Sequence, residues 1–359
     1  MELKKRLKFL VLFYPNRSPS QVFRLEAFLK YLPKSLYDYD WIINKEDEYA
    51  FYYGGVLKKI VFFIKISFRR FFPLFKGNFS NVIINREAYP PGTIFFEMFI
   101  KRILHKKIIY DFDDAIWLPV ISEANKKYAF FKSYRKFSQI ISISDVIIAG
   151  NSFLAEYARQ FNNNVHIIPS CIDLDLYNLI DYTEKPGGCV CIGWSGSETT
   201  LPHLLILKDV MCTLQKKYGD RLYFKVISNR SDFTVPGVNI KSVKWSKEKE
   251  VSELKEVDIG IMPLPNNEWS LGKCSMKGIQ YMGLGIPAVL SDIGMNKEVI
   301  ESGINGLLAK NNIEWEAHLN LLIGDAQLRK KLGTAGRKTV EAGYSIQVWK
   351  DKWLNLVAS

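Results

Sequence analysis

Short apolar runs bounded by turn residues, with stretches of helical periodicity between them, recur along this chain in two separate series, and no other feature limits its fold so sharply. The first series holds residues 8–14, 81–85, 107–110, 144–149 and 165–169, with a helical pattern through Leu25, Phe28, Leu29 and Leu32. The second holds 189–194, 222–228, 257–262 and 288–291, with helical stretches at 201–217 and 247–255. Strands that alternate with helices build parallel sheets covered by those helices. Between the series lies a polar stretch, 181–188, carrying Pro186, Gly187 and Gly188. We therefore expect domains at 1–183 and 184–344. A closing amphipathic helix, 345–359, would carry Trp349 and Trp353 back toward the first domain. A chain of 359 residues exceeds what one core supports, and an apolar fraction of 48% supplies two. Open α/β sheets bind ligands beyond the carboxyl ends of their strands, so a cleft between the domains is the expected site.

A net charge of +12 points to an anionic partner. The basic residues are dispersed and no nucleic-acid reader motif is present, which leaves phosphorylated small molecules or a membrane surface. No run of about 20 apolar residues lacks charge. The five cysteines show no paired metal-ligand spacing and suit a reducing cytoplasm. None of the four histidines forms an i, i+4 pair or neighbours a nucleophile, so zinc sites and hydrolase triads are not expected. Residues 57–76 place Lys58, Lys65, Arg69 and Lys76 on one helical face. Leu57, Ile60, Val61, Ile64, Phe68, Phe71, Phe72 and Phe75 lie on the other, with no acid among them. Such a segment suits an anionic membrane surface, as in a protein held peripherally at the inner face of the cell membrane. It also suits an ordinary helix covering the first sheet, with Pro73 ending it.

The segment that carries most chemistry runs from Trp269 to Ser291, read as a loop, a short helix and a strand. Gly272 allows close backbone approach, the N–H groups of Cys274, Ser275 and Met276 would face an anion, and Lys273 and Lys277 flank them. A lysine at a helix N-terminus opposes the helix dipole unless an anion such as a diphosphate offsets it. The plain alternative is a pair of solvated surface lysines. A second phosphate-loop candidate spans 193–201, where Gly196 admits a ligand and Ser197 or Thr199 caps the helix. A tight strand-to-helix turn would read the same. Asp111, Asp113 and Asp114 follow a strand and would stand at its carboxyl edge, binding acceptor hydroxyls or acting as a base. Alternatively Asp111 and Asp114 cap turns or pair with Arg86, while Asn151 or Ser152 caps the next helix.

The run Gly272 to Ser275, Lys277, Gln280-Tyr281-Met282, Gly285 to Val289, Glu298-Val299-Ile300 and Gly303 to Leu308 resembles glycosyltransferase family 4. Leu328-Arg329, Gly333, Ala335-Gly336-Arg337 and Tyr344-Ser345 fit the same family, and Arg86-Glu87-Ala88 with Tyr110 to Trp117 resembles a bacterial branch of it. The resemblance implies an α/β GT-B fold, two Rossmann-like domains whose parallel sheets face a central cleft. It implies retaining transfer without a metal or other cofactor. The donor would be a UDP- or GDP-linked sugar, and the acceptor a saccharide or lipid-linked saccharide in surface polysaccharide or lipopolysaccharide biosynthesis. Carried over by position, the donor residues are Gly196, Ser197, Lys273, Cys274, Ser275, Lys277 and Gln280. Arg86 and Asn151 would meet the acceptor, and Asp113 and Asp114 would serve catalysis. The chain departs from the family where a spaced pair of glutamates is replaced by Gly272 and Gln280. The Arg and Lys that usually follow the first strand of the second domain are also missing. Glu268 is a candidate for the lost sugar contact. A nucleotide-sugar epimerase of this fold, or a catalytically weak nucleotide-sugar binder, are the alternatives.

Overall fold

The computed structural model describes residues 7–11, 20–40, 54–76, 79–86, 88, 93–119, 134–180 and 188–358. Among them, six strands form a first sheet: β1 Leu7–Val11, β2 Tyr37–Asp40, β3 Asn81–Asn85, β4 Lys107–Phe112, β5 Val146–Ala149 and β6 Val165–Ile167. Their order is β2-β1-β3-β4-β5-β6, and every neighbouring pair is parallel. A second sheet holds β7 Val190–Ser195, β8 Leu222–Ser228, β9 Ile240–Lys244, β10 Ile259–Met262, β11 Ala288–Ser291 and β12 Leu307–Ala309. Its order is β12-β11-β10-β7-β8-β9, again parallel throughout. Strands β3, β5, β7, β10 and β11 are buried at every position, as strands covered on both faces must be. That is why they read in the sequence as continuous apolar runs.

Two compact units result: Met1–Pro169 with Trp349–Ser359, and Ser170–Val348. The boundary expected at 183/184 lies outside the described residues. The stretch 170–180 belongs with the second unit, where the Ile172 and Ile180 amides donate to Tyr344 and Leu284 carbonyls at 3.1 and 2.9 Å. In the first unit, Trp353 of the last helix, Ile346–Ala358, stacks on Phe28 with centroids 4.9 Å apart. Asn81 donates its amide to the Val357 carbonyl at 2.8 Å.

Three local readings differ from expectation. Strand β4 continues to Phe112, so Asp111 lies within the strand. The stretch 201–217 is interrupted: Leu201–Leu204 is α-helical, Leu205–Leu207 tightens to 3-10 geometry, and Lys208–Tyr218 resumes. The helix Val56–Lys76 does not end at Pro73. Its apolar residues Leu57, Ile60, Val61, Ile64, Phe68, Phe72 and Phe75 are exposed, whereas Phe62 and Leu74 are buried. The side chains of Arg69, Phe71 and Lys76 lie outside the described residues. No helix among the described residues is long and apolar enough to cross a membrane.

Trp353 is 1% exposed, so truncation removes a large buried ring from the first unit. Trp353→Ala should lower that unit's unfolding free energy by about 3–5 kcal/mol, read as an earlier transition in urea.

Candidate functional site

In the second sheet the chain runs outward from β7 through β8 and β9, then returns to β10 on the other side of β7 and continues to β11 and β12. A crevice forms beyond the carboxyl ends of the two strands where the winding reverses, here β7 and β10. Strand β7 leads into Gly196 and Ser197. Strand β10 leads through the short helix Glu268–Leu271 and residues 272–275 into the helix Met276–Gly283. Gly260 of β10 allows that second helix to lie directly on the sheet, since a Cβ there would come within 2.3 Å of the Tyr281 ring. The Tyr281 hydroxyl accepts the Ser195 amide at 3.1 Å, tying the helix to the end of β7.

Ser275 precedes this helix with φ +50°, and its hydroxyl donates to Asn296 Oδ1 at 2.8 Å rather than capping the helix. Asn296 in turn donates to the Ser291 carbonyl at 2.9 Å. A helix start with no side-chain cap presents its first-turn amides to an anion. Lys273 and Lys277 stand beside it over aromatic faces: Lys273 Nζ is 3.7 Å from the Trp269 ring centroid, and Lys277 Nζ is 5.5 Å from that of Trp194. His203 meets the edge or face of Trp269 at 5.3 Å in a T-shaped contact. Burial, then the charges of Lys277 and Lys273, push the His203 pKa down to about 4. The imidazole is therefore neutral at pH 7.

The remaining expected donor residues divide by environment. Cys274 is buried, with Sγ 3.9 Å from the Gly272 carbonyl. Gln280 is also buried, and its amide donates to the Tyr177 hydroxyl at 2.7 Å. Gly196 is required by packing, because a Cβ would lie 2.4 Å from the Trp194 ring. The expected cap is corrected: Ser197 and Thr199 hydroxyls contact each other at 2.8 Å, and Thr200, without a side-chain cap bond, precedes the helix Leu201–Leu204. Glu268 is exposed at the start of its helix, which Asn267 caps by accepting the Ser270 amide at 3.0 Å. The sequence reading passed over His203, Tyr177 and Glu250, whose neighbours are distant in the chain.

The first unit gathers a second polar group at the carboxyl edge of its sheet, where the register sets Asn85 beside Asp111. Arg24 grips Asp111 through Nε at 2.9 Å and Nη2 at 2.7 Å, and donates Nη1 to the Ile168 carbonyl at 2.7 Å. Both members of this pair are buried. Removing one partner from such a pair costs about 3–5 kcal/mol. Asn85 also donates to Asp111 at 2.8 Å, and Ser20 donates to Asp113 at 2.8 Å. Arg86, at φ +60°, donates to Asp113 at 2.9 Å and to Asp114 at 2.7 Å, and its carbonyl accepts the Tyr110 hydroxyl. Burial raises the Asp113 pKa, but the Arg86 and Arg24 charges and the Ser20 hydroxyl outweigh it and hold the carboxyl below its usual range. Asn151 caps the helix Ser152–Arg159 by accepting the Leu154 amide at 2.9 Å. Glu87 lies outside the described residues. Among those described, no group of three or more His, Cys, Asp or Glu is placed to hold a metal.

The His203 shift has a definite sign. Its folded pKa of about 4 lies below the unfolded value of 6.5, so the unfolded chain binds more protons in that window. Stability of the second unit should be unaffected by this group above pH 6.5 and should fall as the pH drops toward 4. His203→Gln should flatten that part of a stability-against-pH curve measured by urea unfolding.

Residues 218–339 match the family described as Glycosyl transferases group 1. No curated protein matches the chain in sequence. Solved structures share its fold across nearly the whole length. Anabaena HepE, solved in complex with UDP and glucose, is 11% identical with a TM-score of 0.71, covering 99% of this chain and 100% of its own. Sucrose-phosphate synthase from Thermosynechococcus elongatus is 12% identical with a TM-score of 0.69, covering 98% of each chain. A glycosyltransferase from Rickettsia africae ESF-5 is 14% identical with a TM-score of 0.66, covering 99% of this chain and 98% of its own. The expected α/β fold with two parallel-sheet units is thus the observed one, and residues 218–339 form a Glycosyl transferases group 1 segment within a chain of GT-B fold.

Proposed function

We propose that this protein is a retaining glycosyltransferase that moves a sugar from a UDP- or GDP-linked donor to a saccharide or lipid-linked saccharide in surface polysaccharide biosynthesis. The observation that carries this reading is the helix start at 272–276, uncapped by a side chain and flanked by the ammonium groups of Lys273 and Lys277. HepE has been solved with UDP-glucose, which supports a donor of that class. The donor's diphosphate would accept the first-turn amides, and Lys273 would stabilise the charge that develops as it leaves. The anomeric carbon–oxygen bond breaks, the acceptor oxygen bonds to the same face, and its proton passes to the leaving diphosphate. Two lysines and oriented amides supply the positive potential, so no metal is required. Asp113 and Asp114, held by Arg86, would orient acceptor hydroxyls.

An acceptor carried on a lipid would bring the enzyme to the cytoplasmic membrane face. The exposed apolar stripe of Val56–Lys76, with exposed Lys58 and Lys65, supports contact with an anionic bilayer there. Phe68→Glu with Phe72→Glu should abolish co-flotation with phosphatidylglycerol vesicles. The unsubstituted protein should float with these and not with phosphatidylcholine vesicles.

Lys273→Ala should weaken binding of whichever of UDP, GDP or ADP raises the melting temperature of the unsubstituted protein, by about tenfold. Equal affinity in the variant would remove the donor assignment. A panel of nucleotide sugars, assayed for release of the sugar with and without a lipid-linked acceptor, separates a transferase from a binder that does not turn over.

A further inference from the structure

His203 is a titratable group beside the two lysines to which the chemistry above gives no part. Its short helix, Leu201–Leu204, follows the turn at Gly196 and Ser197 where β7 ends, while Trp269 and Lys273 lie on the chain that leaves β10. The two meet across the reversal. The imidazole stands 5.3 Å from the Trp269 ring, centroid to centroid, and the same ring carries the Lys273 ammonium 3.7 Å from its centroid. His203 is half-buried, and neither of its ring nitrogens makes a hydrogen bond among the described residues.

An imidazole held this way packs on an aromatic ring no better than a phenyl group, and its nitrogens give up water for no bond in return. Burial first, then two positive charges, hold it neutral: Lys277 acts on it from the helix Met276–Gly283, and Lys273 from the loop before that helix. No carboxylate offsets them. Glu198, before the His203 helix, pairs with Arg230 at 3.6 Å, and neither it nor Glu268, beside Trp269, acts on the imidazole. A diphosphate seated between the lysines reverses this balance, because negative charge beside an imidazole favours its protonated form. Both ring nitrogens then carry an N–H, and either can donate a charge-assisted bond to a phosphate oxygen.

We infer that His203, which shares the Trp269 ring with Lys273, is a further phosphate ligand of the donor and takes up a proton as the diphosphate binds. This rests on the donor reading above. The proton comes from solvent and stays on the imidazole while the donor is bound. The sign follows from linkage: the free chain holds this group near 4, the complex holds it higher, so donor affinity rises as the pH falls between the two values.

The test is calorimetric titration of the full chain with UDP-glucose and with GDP-mannose, at pH 5.5 and at pH 7.5, in buffers of different ionisation enthalpy. Both phosphates of such a donor are esterified, so the ligand itself does not titrate in that range. With the imidazole returned to its ordinary 6.5 in the complex, binding should take up about 0.9 proton at pH 5.5 and be about tenfold tighter there than at pH 7.5. His203→Gln, whose side chain is polar and does not titrate, should lose that uptake and the tenfold dependence. Groups that titrate elsewhere are common to both proteins and cancel in the difference. In the unsubstituted protein with labelled histidine, one of the four imidazole resonances should titrate near 4 without donor and above about 6 when saturated. Equal uptake in both proteins, or four histidine pKa values unmoved by the donor, would overturn the assignment and leave the donor reading intact. Failure of these donors, and of UDP and GDP, to bind the unsubstituted protein would end both.

Discussion

The Tyr281 ring lying on Gly260 is the contact on which the second unit's site depends. It brings the helix Met276–Gly283 down onto β10 with only that ring between, and its hydroxyl then takes the Ser195 amide at the end of β7. The two strands that flank the winding reversal are thereby joined to the helix whose start carries Lys273 and Lys277. Ser275 adds a second constraint from the other side. Its hydroxyl is held by Asn296, which is held by the Ser291 carbonyl at the end of β11, so the helix start is oriented by the sheet rather than by a cap of its own.

The first unit uses charge where the second uses packing. Arg24 and Asp111 form a buried fork whose remaining capacity is taken by Asn85 and the Ile168 carbonyl. A pair like this adds little net stability over well-packed apolar groups, but it fixes the geometry of what surrounds it. Around it lie Asp113 and Asp114, both held by Arg86, whose left-handed backbone turns the chain at the end of β3. The Arg86 pairing read as an alternative is present for Asp114, whereas Asp111 pairs with Arg24 instead; Arg86 also holds Asp113, which stays ionised over the physiological range.

Charge in the second unit is concentrated by aromatic rings. Trp269 lies under the Lys273 ammonium, touches His203, and follows the Asn267 cap of its short helix. A neutral imidazole is the consequence first of burial and then of the two ammonium groups, beside which a third positive charge is unfavourable. The Arg and Lys missing after β7 are not replaced within 195–201, where Gly196 serves the Trp194 ring and Ser197 and Thr199 pair with each other.

Local patterning decided the elements. Continuous apolar runs gave β3, β8 and β11 at their observed limits, and the turn residues around Gly272 marked the loop that carries Lys273 and opens the helix bearing Lys277. The edge strand β2, Tyr-Asp-Tyr-Asp, alternates tyrosine with acid and forms no apolar run, and the interruption at Leu205–Leu207 keeps a helical composition on either side. The lysines, the glycine-bearing turn and the acids after β4 were legible because their chemistry lies in consecutive residues. Tyr177, before β7, and Gln280, in the β10–β11 connection, meet Trp245 and Glu250 of the β9–β10 connection only in the folded sheet, and His203 reaches Trp269 only across the β7–β10 reversal. Periodicity and spacing record neighbours along a chain; contacts between crossovers are set by sheet order and packing, which no single segment encodes.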